Sequence, residues 1–366
     1  MINRRDFNLA LGSLTMLSVA CSVNAQGRKV IRAANPNSVL DASQAFATCG
    51  MHPRLRYYES EGVSLEYVNM NSISQAITSV ATSQADTASL APAIYLPALA
   101  KEPNLGIIAA YNWLPRNANV VVVKADSPIK SISELAGKKI GIRNQGDGGI
   151  MQMRIMFAEL GLAAAGLEFI AVGDSGPAGT ALTSNQVDAI VTFDSAAGRI
   201  EALGFPLRYL PLPSAYAKVS SGWFGFRRKD LKGERKAIVR LCRAVAKSTL
   251  FAHTNLDQAF NLHWALYPDS KPKSKSDEET RKELKVVLAQ RRDNWTRRTD
   301  DPDQRWGASS IEEWKTHIAI ASQATHNPQM AQQIGDLSNV FTNELVDEIN
   351  AFDKAAVIKQ AREFKL

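Results

Sequence analysis

Two glycine-rich segments of the 366-residue sequence carry residue types that could do chemistry. Gly173-Asp174-Ser175-Gly176-Pro177 has the composition of a serine-protease nucleophile stretch, and that chemistry needs a His base beside the hydroxyl and an acidic group to orient it. The chain order does not supply them. His52 is the only His before Ser175, its setting Cys49-Gly50-Met51-His52-Pro53 carries no histidine signature of that enzyme class, and the other His residues follow residue 250. Pro177 also breaks the Gly-x-Ser-x-Gly elbow. What remains is a turn from strand to helix with Asp or Ser as its cap. Gly146-Asp147-Gly148-Gly149 lies between a strand pattern and a helix pattern, yet it has neither the dinucleotide fingerprint spacing nor the lysine of a P-loop. Paired glycines at a helix start let a polar solute come close to free backbone N–H groups. His-Glu-x-x-His and Cys-x-x-Cys are both missing from the sequence, so neither a metal nor any other cofactor is expected.

These segments must be held by a chain too long for one core, and two lobes are expected. With 45% hydrophobic and 22% charged residues the composition is that of a globular protein. The net charge of +7 is mild and spread along the chain, so nucleic acid is not called for as a partner. Residues 1–25 read as an export signal: Asn3-Arg4-Arg5-Asp6-Phe7 resembles the twin-arginine motif, an apolar stretch from Leu9 to Ala20 follows, and Val23-Asn24-Ala25 offers a cleavage site after Ala25. That stretch is short for a membrane span of about 20 apolar residues. Cys21 gives a rival reading, a lipid-anchored N-terminus, although Ser18-Val19-Ala20-Cys21 lacks the usual Leu three places earlier. Cys49 and Cys242 either pair or stay as small buried hydrophobes.

Short β-branched runs alternate with helical patterns, as in an α/β protein. Strands are expected at 30–34, 62–68, 85–90, 106–110, 120–123, 137–142, 167–172 and 187–192, with Gly222-Trp223-Phe224-Gly225-Phe226 leading into a helical remainder. The composition change at Asn112–Asn117 marks a lobe boundary. Residues 28–116 are assigned to the first lobe, 117–213 to the second, and 214–366 to a return into the first. The charged segment Pro268–Arg298 reads as a solvated face, as an insertion beside the cleft or as a surface for a membrane partner. Trp295, Trp306 and Trp314 are expected to pack among C-terminal helices.

In such sheets solutes bind at loops beyond the strand C-termini, where helix N-termini present N–H groups. The candidates are Asn35, Ala91-Pro92, Gln145-Gly146-Asp147-Gly148-Gly149 and Asp194-Ser195, with Trp223 as a stacking surface near the second crossover. Each has an ordinary structural alternative as a cap, a turn or a core residue.

The order and spacing of several pieces resemble the solute-binding proteins of bacterial ABC importers, in the nitrate/sulfonate/thiamine-precursor (SsuA/THI5-like) group. These pieces are Glu61–Val68, Ala76–Leu90, Ser127–Ile142, Asn185–Ile190, Phe341-Thr342-Asn343-Glu344 and Asn350-Ala351-Phe352-Asp353. The resemblance covers most of the chain after the signal. It implies a two-lobed type II periplasmic-binding-protein fold with a cleft between lobes joined by two crossovers, a small-molecule solute, an ABC permease as partner, a monomer and a periplasmic location. An exported cofactor-binding periplasmic enzyme, and a binding subunit reporting to a membrane sensor, stay open as readings of other kinds.

Overall fold

The computed structural model describes residues 27–36, 40–70, 72–145, 148–271 and 275–366. The export signal expected at 1–25, Cys21 within it, and Gly146 and Asp147 lie outside the described residues.

Two five-stranded sheets organise the chain. The first holds β1 (Lys29–Asn35), β2 (Val63–Asn69), β3 (Thr87–Leu90), β4 (Ile107–Leu114) and β10 (Gly222–Arg227), in the order β2-β1-β3-β10-β4. The second holds β5 (Asn119–Lys124), β6 (Lys139–Ile142), β7 (Glu168–Ala171), β8 (Ala189–Phe193) and β9 (Leu207–Tyr209), in the order β7-β6-β8-β5-β9. The two orders are the same pattern: three parallel strands, then one antiparallel strand that arrives from the other lobe, then a final edge. β5 carries the chain into the second lobe and β10 carries it back, so two crossovers join the lobes. This is the α/β periplasmic-binding fold the sequence leads one to expect.

The local causes are ordinary. Val121, Val122 and Val123 have no exposed surface, as suits a strand covered on both faces. Helix α1 (Ile73–Ala81) starts at Ser72, whose hydroxyl accepts from Gln75 N at 3.2 Å. Helix α2 (Pro92–Lys101) opens with Pro in its first turn, where no N–H is needed. Helices α3 (Gly149–Glu159), α4 (Gly176–Thr183) and α5 (Asp194–Ala202) cover the second sheet. Each sheet is packed on both faces by its own apolar clusters.

The return segment does more than rebuild the first lobe. Helix α6 (Arg235–Thr254) buries Ile238, Leu241, Cys242 and Val245 in the first lobe. Helices α7 (Asp277–Val287) and α8 (Ala289–Asn294) instead lie against α5 of the second lobe. A Cβ on Gly198 would fall 2.7 Å from the Val287 Cα, so the α5 and α7 backbones meet where only glycine fits. Of the described residues in the charged segment 268–298, those of α7 and α8 dock on the second lobe while most of their charged side chains stay exposed. Helix α9 (Ile311–Ala324) belongs to both cores: Trp314, Ile318 and Ala321 pack with the first lobe, Ile320 and Ala324 with the second. Tyr216 and Val219 pack in the same cluster as the second sheet. Trp295 and Trp314 are fully buried and Trp306 half-buried. Cys49 and Cys242 are free and buried, each as a small hydrophobe; burial pushes the Cys49 thiol up to about 12.

Candidate functional site

The two crossovers touch each other. Ala118 N donates to Ser221 Oγ at 2.8 Å and Ser221 N to the Leu114 carbonyl at 2.9 Å. A cavity of about 60 Å³ lies at this junction, walled by both lobes, both crossovers and α9. Ala91, Pro92 and Ala93 supply the first turn of α2, Asn117 and Asn119 the first crossover, Gln152 and Ile155 the α3 wall, Tyr216, Val219, Ser220 and Ser221 the second crossover, and His317, Ile320 and Ala321 the α9 face. None of these lining residues is Asp, Glu, Lys or Arg.

An amide relay runs along one side. Gln152 Nε2 donates to Asn119 Oδ1 at 2.6 Å, Asn119 Nδ2 donates to Asn117 Oδ1 at 2.9 Å, and Asn117 Nδ2 donates to the Tyr216 carbonyl. The relay ends on a backbone carbonyl, which can only accept, and this sets the direction of each amide. Gln152 Oε1 is left buried without a hydrogen-bond partner. On the opposite side His317 is 5% exposed, and its Nε2 has no hydrogen-bond partner. Burial pulls the His317 pKa down to about 3, so the ring is neutral at ordinary pH. Ser220 sits between Asn112, whose amide donates to its hydroxyl at 2.9 Å, and Glu313, which accepts its peptide N–H at 2.6 Å. Desolvation raises the Glu313 carboxyl pKa.

Of the residues singled out in the sequence, Ala91 and Pro92 line the cavity. Gly148 precedes α3 one turn before Gln152, and a Cβ there would meet only the Gln152 amide at 3.6 Å. Gly149 has a different job. Its Cβ would stand 3.0 Å from Val191 and 3.2 Å from Ile142, so its smallness lets α3 sit on the second sheet. Gln145 is exposed and is not part of the cavity wall. Asn35 is buried at the end of β1, where its amide donates to Asn69 Oδ1 at 3.0 Å across to β2. Trp223 has no exposed surface: its indole donates to Ser309 Oγ at 2.7 Å and its ring packs on Trp314, behind the wall that His317 presents.

Asp194 and Ser195 begin α5, and their polar groups are already used. Arg291 donates to Asp194 Oδ1 from Nε at 2.8 Å and from Nη2 at 2.5 Å, Asn294 Nδ2 donates to Oδ2 at 2.7 Å, and Ser195 N closes on Oδ1 at 2.6 Å. The Asp194 side chain has no exposure and that of Arg291 has 8%. This buried pair fastens α8 of the return segment to the second lobe. A larger hollow of about 360 Å³ lies beside it, between α5 and α7–α8. Its polar groups Glu201 and Tyr209 are bonded to each other at 2.7 Å, and Lys285 pairs with Asp257 at 3.0 Å. Asp174 in the protease-like segment accepts from Ser175 N at 2.8 Å and from Arg199 at 3.0 Å, which makes that segment a turn braced on α5.

Sequence reading missed Asn117, Asn119, Gln152, Ser220, Ser221 and His317. Gln152 had a signal, being one turn into the helix that Gly148 opens; His317 had none, since it lies within an amphipathic helix 165 residues further on.

Comparison with known proteins follows the same lines. The family model described as NMT1/THI5 like matches residues 52–259. Among curated protein sequences none matches the chain. Among solved structures, the putative sulfonate ABC transporter periplasmic sulfonate-binding protein SsuA from Methylobacillus flagellatus KT aligns with a TM-score of 0.58 at 16% identity, over 92% of this chain and 95% of that one. The periplasmic aliphatic sulphonate binding protein SsuA from Escherichia coli gives 0.58 at 14%, over 85% and 97%. The alkanesulfonate-binding protein SsuA from Xanthomonas axonopodis pv. citri, bound to MOPS, gives 0.56 at 14%, over 87% and 97%. At these identities the likeness is one of fold.

Proposed function

The chain belongs to the NMT1/THI5-like family, and we propose from this premise that it is the solute-binding component of an ABC import system, taking up a small molecule between its lobes and delivering it to a membrane permease. The observation that carries the reading is the cavity at the junction of the two crossovers, lined from both lobes by uncharged side chains such as Asn117, Asn119, Gln152, Ser220, Ser221 and His317. A solute held by both lobes makes all of its contacts only when the lobes are together. Differential affinity of this kind is what drives closure. The sulfonate-binding ABC components of like fold support the same role.

A screen of nitrate, alkyl and aryl sulfonates, aromatic carboxylates and small neutral polar solutes by thermal shift, followed by small-angle scattering with the best ligand, tests it. A ligand at about 100 Kd adds about 2.7 kcal/mol, and its binding should shrink the radius of gyration. A chain that binds a solute with no compaction would contradict closure.

For location, the reading is export to the periplasm through the twin-arginine-type segment Asn3–Phe7. Among the described residues no helix is long and apolar enough to cross a membrane. Changing Arg4 and Arg5 together to Lys should hold the precursor in the cytoplasm, because Lys keeps the charge and loses the planar guanidinium. Mass spectrometry of the exported product should find Gln26 first; a diacylated Cys21 there would instead establish a membrane anchor.

A further inference from the structure

Besides the two crossovers, the lobes are tied through α7 and α8. These helices follow the first-lobe helix Leu256–Leu266 in the chain and stay fixed to that lobe. Arg281 Nη1 donates to Asn261 Oδ1 at 2.7 Å, Lys285 pairs with Asp257 at 3.0 Å, and Arg292 Nε donates to the His253 carbonyl at 3.0 Å. Leu288 and Trp295 lie in the first-lobe core, the Trp295 ring 5.7 Å from that of Phe46. From this footing α8 reaches the second lobe. Arg291 and Asn294 hold the two oxygens of Asp194 at the start of α5, and the Arg291 guanidinium lies 5.9 Å from the Phe193 ring at the end of β8. One turn along α5, Arg199 bonds Asp174 of its own lobe at 3.0 Å and stands 3.9 Å from Asp41, which follows β1 in the first lobe. The first lobe thus grips α5 twice.

These grips differ from the crossovers in being breakable. The crossovers carry the chain, whereas the contacts at Asp194 and Asp41 can part and re-form. Asp194 also stands beyond the C-terminal end of a strand, where sheets of this kind face their ligands. The return segment fills that place with its own side chains. Gly198 shows that the docking shapes the sequence of α5. Glycine weakens a helix interior, yet a Cβ there would fall 2.7 Å from the Val287 Cα, so α7 can lie against α5 only with glycine at this position. Resting on the solute-binding reading, we propose that α8 is a latch: its tie to Asp194 holds the lobes together before a solute arrives, and latch and solute together set how much of the protein is closed.

The test reads the distance between the lobes in the exported form of the full chain, without solute. Double electron–electron resonance between spin labels on Lys101→Cys and Thr183→Cys reports it. Both positions are exposed helix ends, one in each lobe, and Cys49 and Cys242 are too buried to take a label. The first releasing variant is Gly198→Ala, which strengthens α5 as a helix and pushes α7 away from it. The second is Asp194→Asn combined with Arg291→Met, which removes both charges of the tie. The expected result is one short distance in the parent protein and a longer, broader distribution in each variant. The proposal is overturned if parent and variants share one distribution, short or long. It is equally overturned if both variants unfold the chain, because α8 would then be a fixed part of the core. No solute enters this experiment, so its failure leaves the solute-binding reading standing; that reading falls if no solute in the thermal-shift screen stabilises the protein.

Discussion

His317 is where burial and packing meet in one side chain. It is held neutral among Trp223, Trp314 and the second crossover, and desolvation is the cause of its lowered pKa. The unfolded chain takes up a proton near pH 6.5 and the folded one only near pH 3, so between those values the unfolded state binds more protons. Stability from this residue is whole above pH 6.5 and is lost as pH falls, at about 1.4 kcal/mol per pH unit. Urea midpoints of the unaltered protein should therefore fall between pH 7 and pH 5 more steeply than those of His317→Gln. Glu313, one turn earlier on α9 with a raised carboxyl pKa, works in the opposite sense. It is common to both proteins, so the difference between the two curves isolates His317. Equal slopes would show that the ring is solvated and titrates normally.

At the scale of elements, the alternation of apolar and polar residues located the strands and helices because each buries one face or both. The run Val120–Val123 and the Ser72 cap are legible for that reason. β9 was missed because Leu207-Arg208-Tyr209 is too short to show a period. The site was legible only where a single rule acts locally: Ala91 and Pro92 follow a strand and open a helix. Asp194 obeys the same rule, yet a partner 97 residues away, Arg291, occupies it. No local pattern shows a pairing made by tertiary packing. The pair makes a sharp prediction. Arg291→Met leaves a buried carboxylate with Asn294 and the Ser195 N–H as its remaining donors, and should cost about 3–5 kcal/mol in the denaturant midpoint. Adding Asp194→Asn to that variant should recover most of the loss, since the uncompensated charge is gone. If the single variant loses less than about 1 kcal/mol, the pair is hydrated in solution and does not fasten α8 to the second lobe.

For the whole molecule, the repeated strand order gives each lobe its own sheet with cores on both faces, and among the described residues the crossovers, α7–α8 and α9 pass between them. The charged segment 268–298 reads in sequence as a solvated face, an insertion beside the cleft or a surface for a membrane partner, because its polar residues dominate the composition. Its few apolar contacts, Val287 against Gly198 above all, decide where it docks.

The divided loyalty of α9 has a calorimetric consequence. If the lobes part, this helix must leave one of its two cores, and either Ile320 and Ala324 or Trp314, Ile318 and Ala321 become wet. Closure then covers protein surface that the solute never touches. Water released from apolar groups lowers the heat capacity, so titration calorimetry at several temperatures should give a ΔCp of binding more negative than the solute's own apolar area accounts for. Replacing Ile320 with Ser should shrink that excess if α9 stays with the first lobe, and leave it unchanged if it stays with the second.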